Sequence, residues 1–110
     1  MIEIRINCPN PWVADAIAAR LLGDNLVAAV NRVEAFSSYR WRGVEKSRDE
    51  VILYAKTRAN LFDTVVETVG PMHPFDEPSI TAIDITYATE NYREWVLSST
   101  RAAIGAGAAS

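Results

Sequence analysis

Seventeen consecutive residues, Leu26 to Arg42, read as extended backbone, and this stretch restricts the possible folds more than any other feature of the chain. At about 3.3 Å per residue it spans roughly 55 Å if straight. A compact chain of this length has a radius of gyration near ~13 Å, hence a diameter on the order of 35 Å. Even bent into a hairpin, such a strand overhangs its own domain. Overhanging strands that carry Phe36, Tyr39 and Trp41 leave unpaired edges and aromatic surface in water. Pairing with a neighbouring subunit removes both, so Phe36, Tyr39 and Trp41, with Tyr54 of the following strand, are expected interface residues. The alternative is a hairpin folded back on its own sheet. Leu26, Ala28 and Val30 share one phase, and Tyr39 and Trp41 take the other, which predicts a bulge or bend between them.

The rest of the chain supplies a layer to carry this hairpin. Ile2, Ile4, Ile6 and Cys8 alternate with Glu3, Arg5 and Asn7, the mark of a strand with one buried face. Pro9-Asn10-Pro11 ends it: Asn10 suits a helix cap, and Pro11 the first helical position. Ala14, Ile17, Ala18, Leu21 and Leu22 keep helical spacing up to Gly23, which reads as a left-handed stop. Gly43 opens a polar, turn-like connection through Asp49, and Val51–Ala55 is a continuous apolar strand that asks for cover on both faces. A helix from Asn60 to Val69 shows the stripe Leu61, Phe62, Val65, Val66 and Val69 and ends at Gly70-Pro71. The proline-rich run Pro71–Pro78 leads into a strand from Ile80 to Tyr87. Asn91 with Glu94 suggests a capping box for a last helix, with Tyr92, Trp95, Val96 and Ser99 inward. The order predicts an α+β, ferredoxin-like βαββαβ sandwich with an extra C-terminal helix and both main helices on one sheet face. It is read as a single domain over residues 1–104, followed by a flexible tail at 105–110.

Composition excludes several classes of function. The net charge is −3, and the basic residues form no block that would neutralise phosphates, so nucleic acid is not an expected partner. Arg40, Arg42, Lys46 and Arg48 are interrupted by Glu45, Asp49 and Glu50 and read as a solvated hairpin end, with an anion site second. No apolar run approaches the roughly 20 residues of a membrane span, and Met1–Ile6 lacks the apolar region of a signal peptide. The single cysteine, Cys8, has no internal disulfide partner. A reducing cytoplasm is the expected location, with no membrane partner.

Tyr39-Arg40-Trp41-Arg42-Gly43, Glu50-Val51 leading to Lys56-Thr57, His73-Pro74-Phe75-Asp76-Glu77-Pro78 and Tyr92-Arg93-Glu94-Trp95 stand in an order that resembles the CutA divalent-cation tolerance family. Ala28-Ala29-Val30-Asn31 fits as well, and the resemblance covers nearly all of the chain except the tail. It implies a homotrimer held by strand pairing between subunits, binding of divalent cations (copper above all) and no enzymatic reaction. It also marks departures. Ala29 stands where many members have Cys, Phe75 where Tyr is usual, Asp76 where Glu is common, and Ala88 where Gly is frequent.

The resemblance makes Cys8, Glu50 and His73 candidate metal ligands, with Asp76 and Glu77 in second place. A thiolate, an imidazole and a carboxylate suit copper or zinc, and no organic cofactor is implied. The residues alone leave other readings open. Cys8 is in phase with a buried face, His73 can serve the loop it sits in, and the spacing contains no C-x-x-C or H-x-x-x-H pattern. Lys56 is expected to pair with a carboxylate across the subunit interface, with anion binding as the alternative. A signalling trimer akin to the PII nitrogen regulators, holding a nucleotide or other small anion between subunits, is the alternative function, though no Gly-rich phosphate loop is present. An acylphosphatase-type enzyme is disfavoured because Pro9 and Pro11 remove two backbone donors from the loop where an oxyanion would bind.

Overall fold

Alternation at the N-terminus becomes β1, Ile2–Cys8, whose burial alternates along its length. The computed structural model describes residues 1–102. After β1 come α1 (Pro11–Gly23), β2 (Ala29–Trp41), β3 (Val44–Thr57), α2 (Phe62–Val69, between single 3₁₀ turns), β4 (Ile80–Asp84) and α3 (Glu90–Ser99). The sheet runs β2-β3-β1-β4 with every pair antiparallel, the predicted ferredoxin-like α+β arrangement. Residues 103–110 lie outside the described residues, and with them the expected tail.

One sheet face makes the core. Ile2, Ile4, Ile6 and Cys8 of β1 and Val51, Leu53 and Ala55 of β3 pack with Ala14, Ile17 and Leu21 of α1 and Leu61, Val65 and Val69 at α2. Each fully buried Ile, Leu or Val among these contributes about 1.5–3 kcal/mol relative to exposure. Thr57 is also buried, and its hydroxyl donates to the Leu26 carbonyl at 2.6 Å, closing the edge where β2 begins. The expected cover on both faces of Val51–Ala55 is found on one alone: Ile52 and Tyr54 are half-buried within the single chain.

The hairpin differs from expectation in an informative way. All thirteen residues of β2 have a partner in β3, from Ala29 opposite Lys56 to Trp41 opposite Val44, so there is no bulge. The connection consists of two residues, Arg42 (φ 51°) and Gly43 (φ 79°), whose positive φ angles match the type I′ turn favoured by twisted hairpins. The polar segment after Gly43 is therefore strand. Its polarity reflects the absence of a core beneath it, and cross-strand pairs such as Ser38 with Ser47 hold it instead. The phase change has the same cause: past the helices neither face is bound to be the apolar one. The chain accordingly measures 44 × 30 × 25 Å, with a radius of gyration of 14.6 Å.

Smaller corrections concern element ends. The left-handed residue after α1 is Asn25 (φ 55°) rather than Gly23, with Leu26 N–H bonded to Leu21 O at 2.9 Å. Asn tolerates this conformation because its short side chain bonds locally. β4 stops at Asp84, opposite Ile2, with one further bond from Ile85 N–H to Met1 O. The cap residue of α3 is Thr89, not Asn91, and of the residues expected inward Val96 is buried while Tyr92 and Trp95 are 38% and 46% exposed. The α1 cap is as expected: Asn10 accepts from Val13 N–H at 2.9 Å. Asn10→Ala should lower stability by about 1 kcal/mol, and Asn10→Ser should restore most of it, in urea unfolding of the two variants.

Candidate functional site

Strand register decides which candidate side chains can meet. In β3, Val51, Leu53 and Ala55 face the helices, so Lys46, Arg48, Glu50, Ile52, Tyr54 and Lys56 fall on the opposite, helix-free face. Asn7 shares that face through its pairing with Ile52, and Tyr39 and Trp41 share it through Lys46 and Val44. Cys8 belongs to the helix-covered face. Cys8 and Glu50 thus sit at one end of the sheet but on opposite sides of it.

Each of the three leading candidates is already engaged. Cys8 is fully buried, its Sγ lying 3.9 Å from the Ile6 carbonyl. Burial, and secondarily the negative charge of Glu50, push its thiol up to about 11, so the thiolate that a soft metal needs is disfavoured. His73 is 7% exposed, and both ring nitrogens are occupied: Nδ1 accepts from the Phe75 amide at 3.2 Å, so Nε2 carries the proton and donates to the Asn7 carbonyl at 2.7 Å. Glu50 is 6% exposed, with Oε1 accepting from Asn7 Nδ2 at 3.4 Å and Oε2 from Arg48 Nη2 at 3.3 Å. Among the described residues no three His, Cys, Asp or Glu side chains form a group able to hold a metal ion. Asp76 and Glu77 differ: both are exposed, and their carboxylates make no hydrogen bond or ion pair among the described residues.

These two carboxylates border a cleft of about 720 Å³ on the helix-free face. One wall is the outer half of the hairpin, with Tyr39, Trp41, Lys46 and Arg48; the other is the loop after α2, with Phe75, Asp76 and Glu77. Arg48 spans the gap. Its guanidinium lies 4.1 Å from the Phe75 ring centre and 5.3 Å from that of Tyr39, a cation–π contact on each. Sequence reasoning placed Arg48 on a solvated hairpin end. The missed signal was alternation: read as strand, Lys46, Arg48, Glu50 and Tyr54 share a phase. Of the expected interface residues, Phe36 is 70% exposed on the arm, Trp41 lies against Arg42, and Tyr54 lies under Arg5. Lys56, expected to pair across the interface, instead bonds Glu3 of its own chain at 2.8 Å.

Comparison with known proteins gives one consistent result. The family model described as "CutA1 divalent ion tolerance protein" matches residues 2–99. The "Divalent-cation tolerance protein CutA" of Pyrococcus horikoshii is 31% identical over 92% of this chain and 99% of its own length. The chloroplastic protein CutA of Arabidopsis thaliana is 34% identical over 91% of this chain, which spans about half of that relative, 56%. Among solved structures, the Thermus thermophilus divalent cation tolerance protein superposes with a TM-score of 0.88 at 34% identity, covering 92% of this chain and 100% of that one.

The buried thiol offers a direct check on the site. Its folded value lies above the ordinary 9.0, so unfolded chains lose the proton first and stability should fall as pH rises from about 9 towards about 11. Cys8→Ala should unfold with a flatter pH dependence across that window, read by denaturant melts of both proteins. Native wild type should also resist thiol-reactive dye at pH ~8 until it is unfolded.

Proposed function

The chain belongs to the CutA1 divalent ion tolerance family, and from that premise we propose that it acts as a non-enzymatic homotrimer that takes up divalent cations, copper first and zinc second, in metal tolerance or response. The observation that carries the assembly is the bare hairpin. It exposes Val33, Phe36 and Trp41, at 46%, 70% and 40%, along the edge strand β2 with its free backbone donors and acceptors, and Val44, at 56%, at the start of β3. The sheet has two unlike free edges, β2 and β4. Pairing unlike edges is a head-to-tail contact, which closes as a ring rather than as a two-fold dimer. A trimer is the ring that the family resemblance implies.

Support for the cation comes from the relatives' names and from the unpartnered pair Asp76 and Glu77. As they stand in one chain, Cys8, Glu50 and His73 do not fit a bound metal, because each donor atom is buried or already bonded. Of the three, Glu50 lines the cleft behind the accessible oxygens, while Cys8 lies on the other side of the sheet, and a neighbouring subunit completes the coordination. Copper(II) leads because it heads the affinity order of divalent first-row ions for such donor sets. The compared relatives and structures carry CutA names, which lends nothing to the nucleotide-sensing alternative. Among the described residues no helix is long and apolar enough to cross a membrane. We retain the cytoplasm as the proposed location, although two plant relatives are named chloroplastic and one similar structure, from Archaeoglobus fulgidus, periplasmic.

Two measurements test this reading. Sedimentation should give three times the 12.2 kDa chain mass at micromolar concentration, and Phe36→Glu should shift the protein towards monomer. In calorimetry with copper(II), Asp76→Asn/Glu77→Gln should lose most of the heat while Cys8→Ala keeps it. A wild type that sediments as a single chain refutes the assembly. Unchanged copper heat in the double carboxylate variant refutes the accessible pair, and loss of heat in Cys8→Ala and His73→Ala returns the site to the interior donors.

A further inference from the structure

Of the five candidate ligands, Glu50 alone is a buried carboxylate, and a buried carboxylate is costly unless it is paired. Its charge is answered from two residues away. Arg48 and Glu50 alternate past Asp49 onto the same face of β3, and Arg48 Nη2 lies 3.3 Å from Glu50 Oε2. Asn7 Nδ2 donates to the other oxygen at 3.4 Å. Asn7 is neutral, and His73 behind it brings no charge, since Nδ1 accepts from the Phe75 amide while Nε2 donates to the Asn7 carbonyl. Among the described residues Arg48 is therefore the only cation paired with Glu50. The guanidinium is also clamped: it lies 4.1 Å from the Phe75 ring centre and 5.3 Å from that of Tyr39, with its Nε buried. Arginine stays protonated across the working pH range, so no ordinary change of pH releases its partner. Nor does the pair depend on an open cleft. A neighbouring subunit laid over the hairpin buries both groups further and strengthens their attraction.

We propose that Arg48 is a built-in cation that takes a metal's place at Glu50, silencing this carboxylate as a ligand and confining divalent-cation uptake to the accessible oxygens of Asp76 and Glu77. An ion seeking Glu50 must expel a clamped guanidinium or sit beside its like charge. The residue type that suits a cation is thus present, but its charge is already neutralised from within the chain. Arg48 acts through Glu50 and sets which carboxylates a cation can use. The proposal deepens the cation reading and rests on it only for the ion used as a probe.

The test is a double-mutant cycle of Arg48→Met and Glu50→Gln in the full chain, with two readouts. The first is copper(II) calorimetry. With Arg48 present, Glu50→Gln should weaken copper binding by about threefold at most; in the Arg48→Met background the same change should weaken it by about tenfold or more, because Glu50 is then free to bind. An equal or larger factor with Arg48 present overturns the proposal, since Glu50 then acts on the cation whatever Arg48 does. The second readout uses no metal. In excess chelator and at one chain concentration, Arg48→Met should unfold at lower urea than Arg48→Met/Glu50→Gln, because the single change strands a buried carboxylate. A double variant that unfolds no later than the single one also overturns the proposal. Wild type that gives no copper heat removes the cation reading and leaves the urea comparison to decide this one.

Discussion

The unbroken pairing of β2 with β3 is the constraint on which the rest depends. Its register keeps a single phase from Ala29 opposite Lys56 to Trp41 opposite Val44, so every side chain along the hairpin is assigned to one face with no chance of reassignment midway. Near β1 that assignment gives Val51, Leu53 and Ala55 to the core. Farther out the same alternation continues with no helix to receive it, and the two faces become two solvent-facing or subunit-facing surfaces. The 44 Å long axis and the exposure of Phe36 follow from the same ladder. A two-residue turn at Arg42 and Gly43 lets the ladder run to its tip.

Because the sheet is covered by helices on one side only, chemistry is sorted by face. The covered side is closed: Cys8 there is a small apolar packing residue whose proton is held tightly. The helix-free side is where charge collects. Lys56 bonds Glu3 at 2.8 Å, Arg5 lies over Tyr54, and Arg48 bridges Glu50 and Phe75. On this side charges are answered by one another and by aromatic rings rather than by an apolar core.

Much of the fold was legible because its signals are periodic. β1, α1 with its Asn10 cap, the stripe of α2 and the element order were all carried by spacing that core packing enforces. The hairpin arm was harder to read, since packing enforces nothing there. Val44–Asp49 resembles a loop in composition and is a strand because β2 pairs with it. The capping box at Asn91 failed for a related reason: the entry to α3 is set by the chain leaving β4, and the cap shifts to Thr89. At the candidate site, residue types pointed to Cys8, Glu50 and His73, but hydrogen-bond occupancy is a tertiary fact that no local spacing contains. The engaged state of His73 depends on Asn7, 66 positions away in sequence.

That contact indicates what the His-Pro-Phe-Asp-Glu run accomplishes. Asn7 is bonded three ways: its amide to the Ser79 carbonyl at 3.1 Å, its carbonyl to His73 at 2.7 Å, and its side chain to Glu50 at 3.4 Å. The loop after α2 is therefore pinned to the end of β1 at both of its ends, by His73 where it begins and by Ser79 where it rejoins the sheet. Pinning at two points leaves the residues between, Phe75, Asp76 and Glu77, displayed in a fixed position against Arg48 on the hairpin. His73 thus shapes the cleft without lining it: it spends both ring nitrogens on backbone, and two carboxylates three and four residues later border the cleft unpaired.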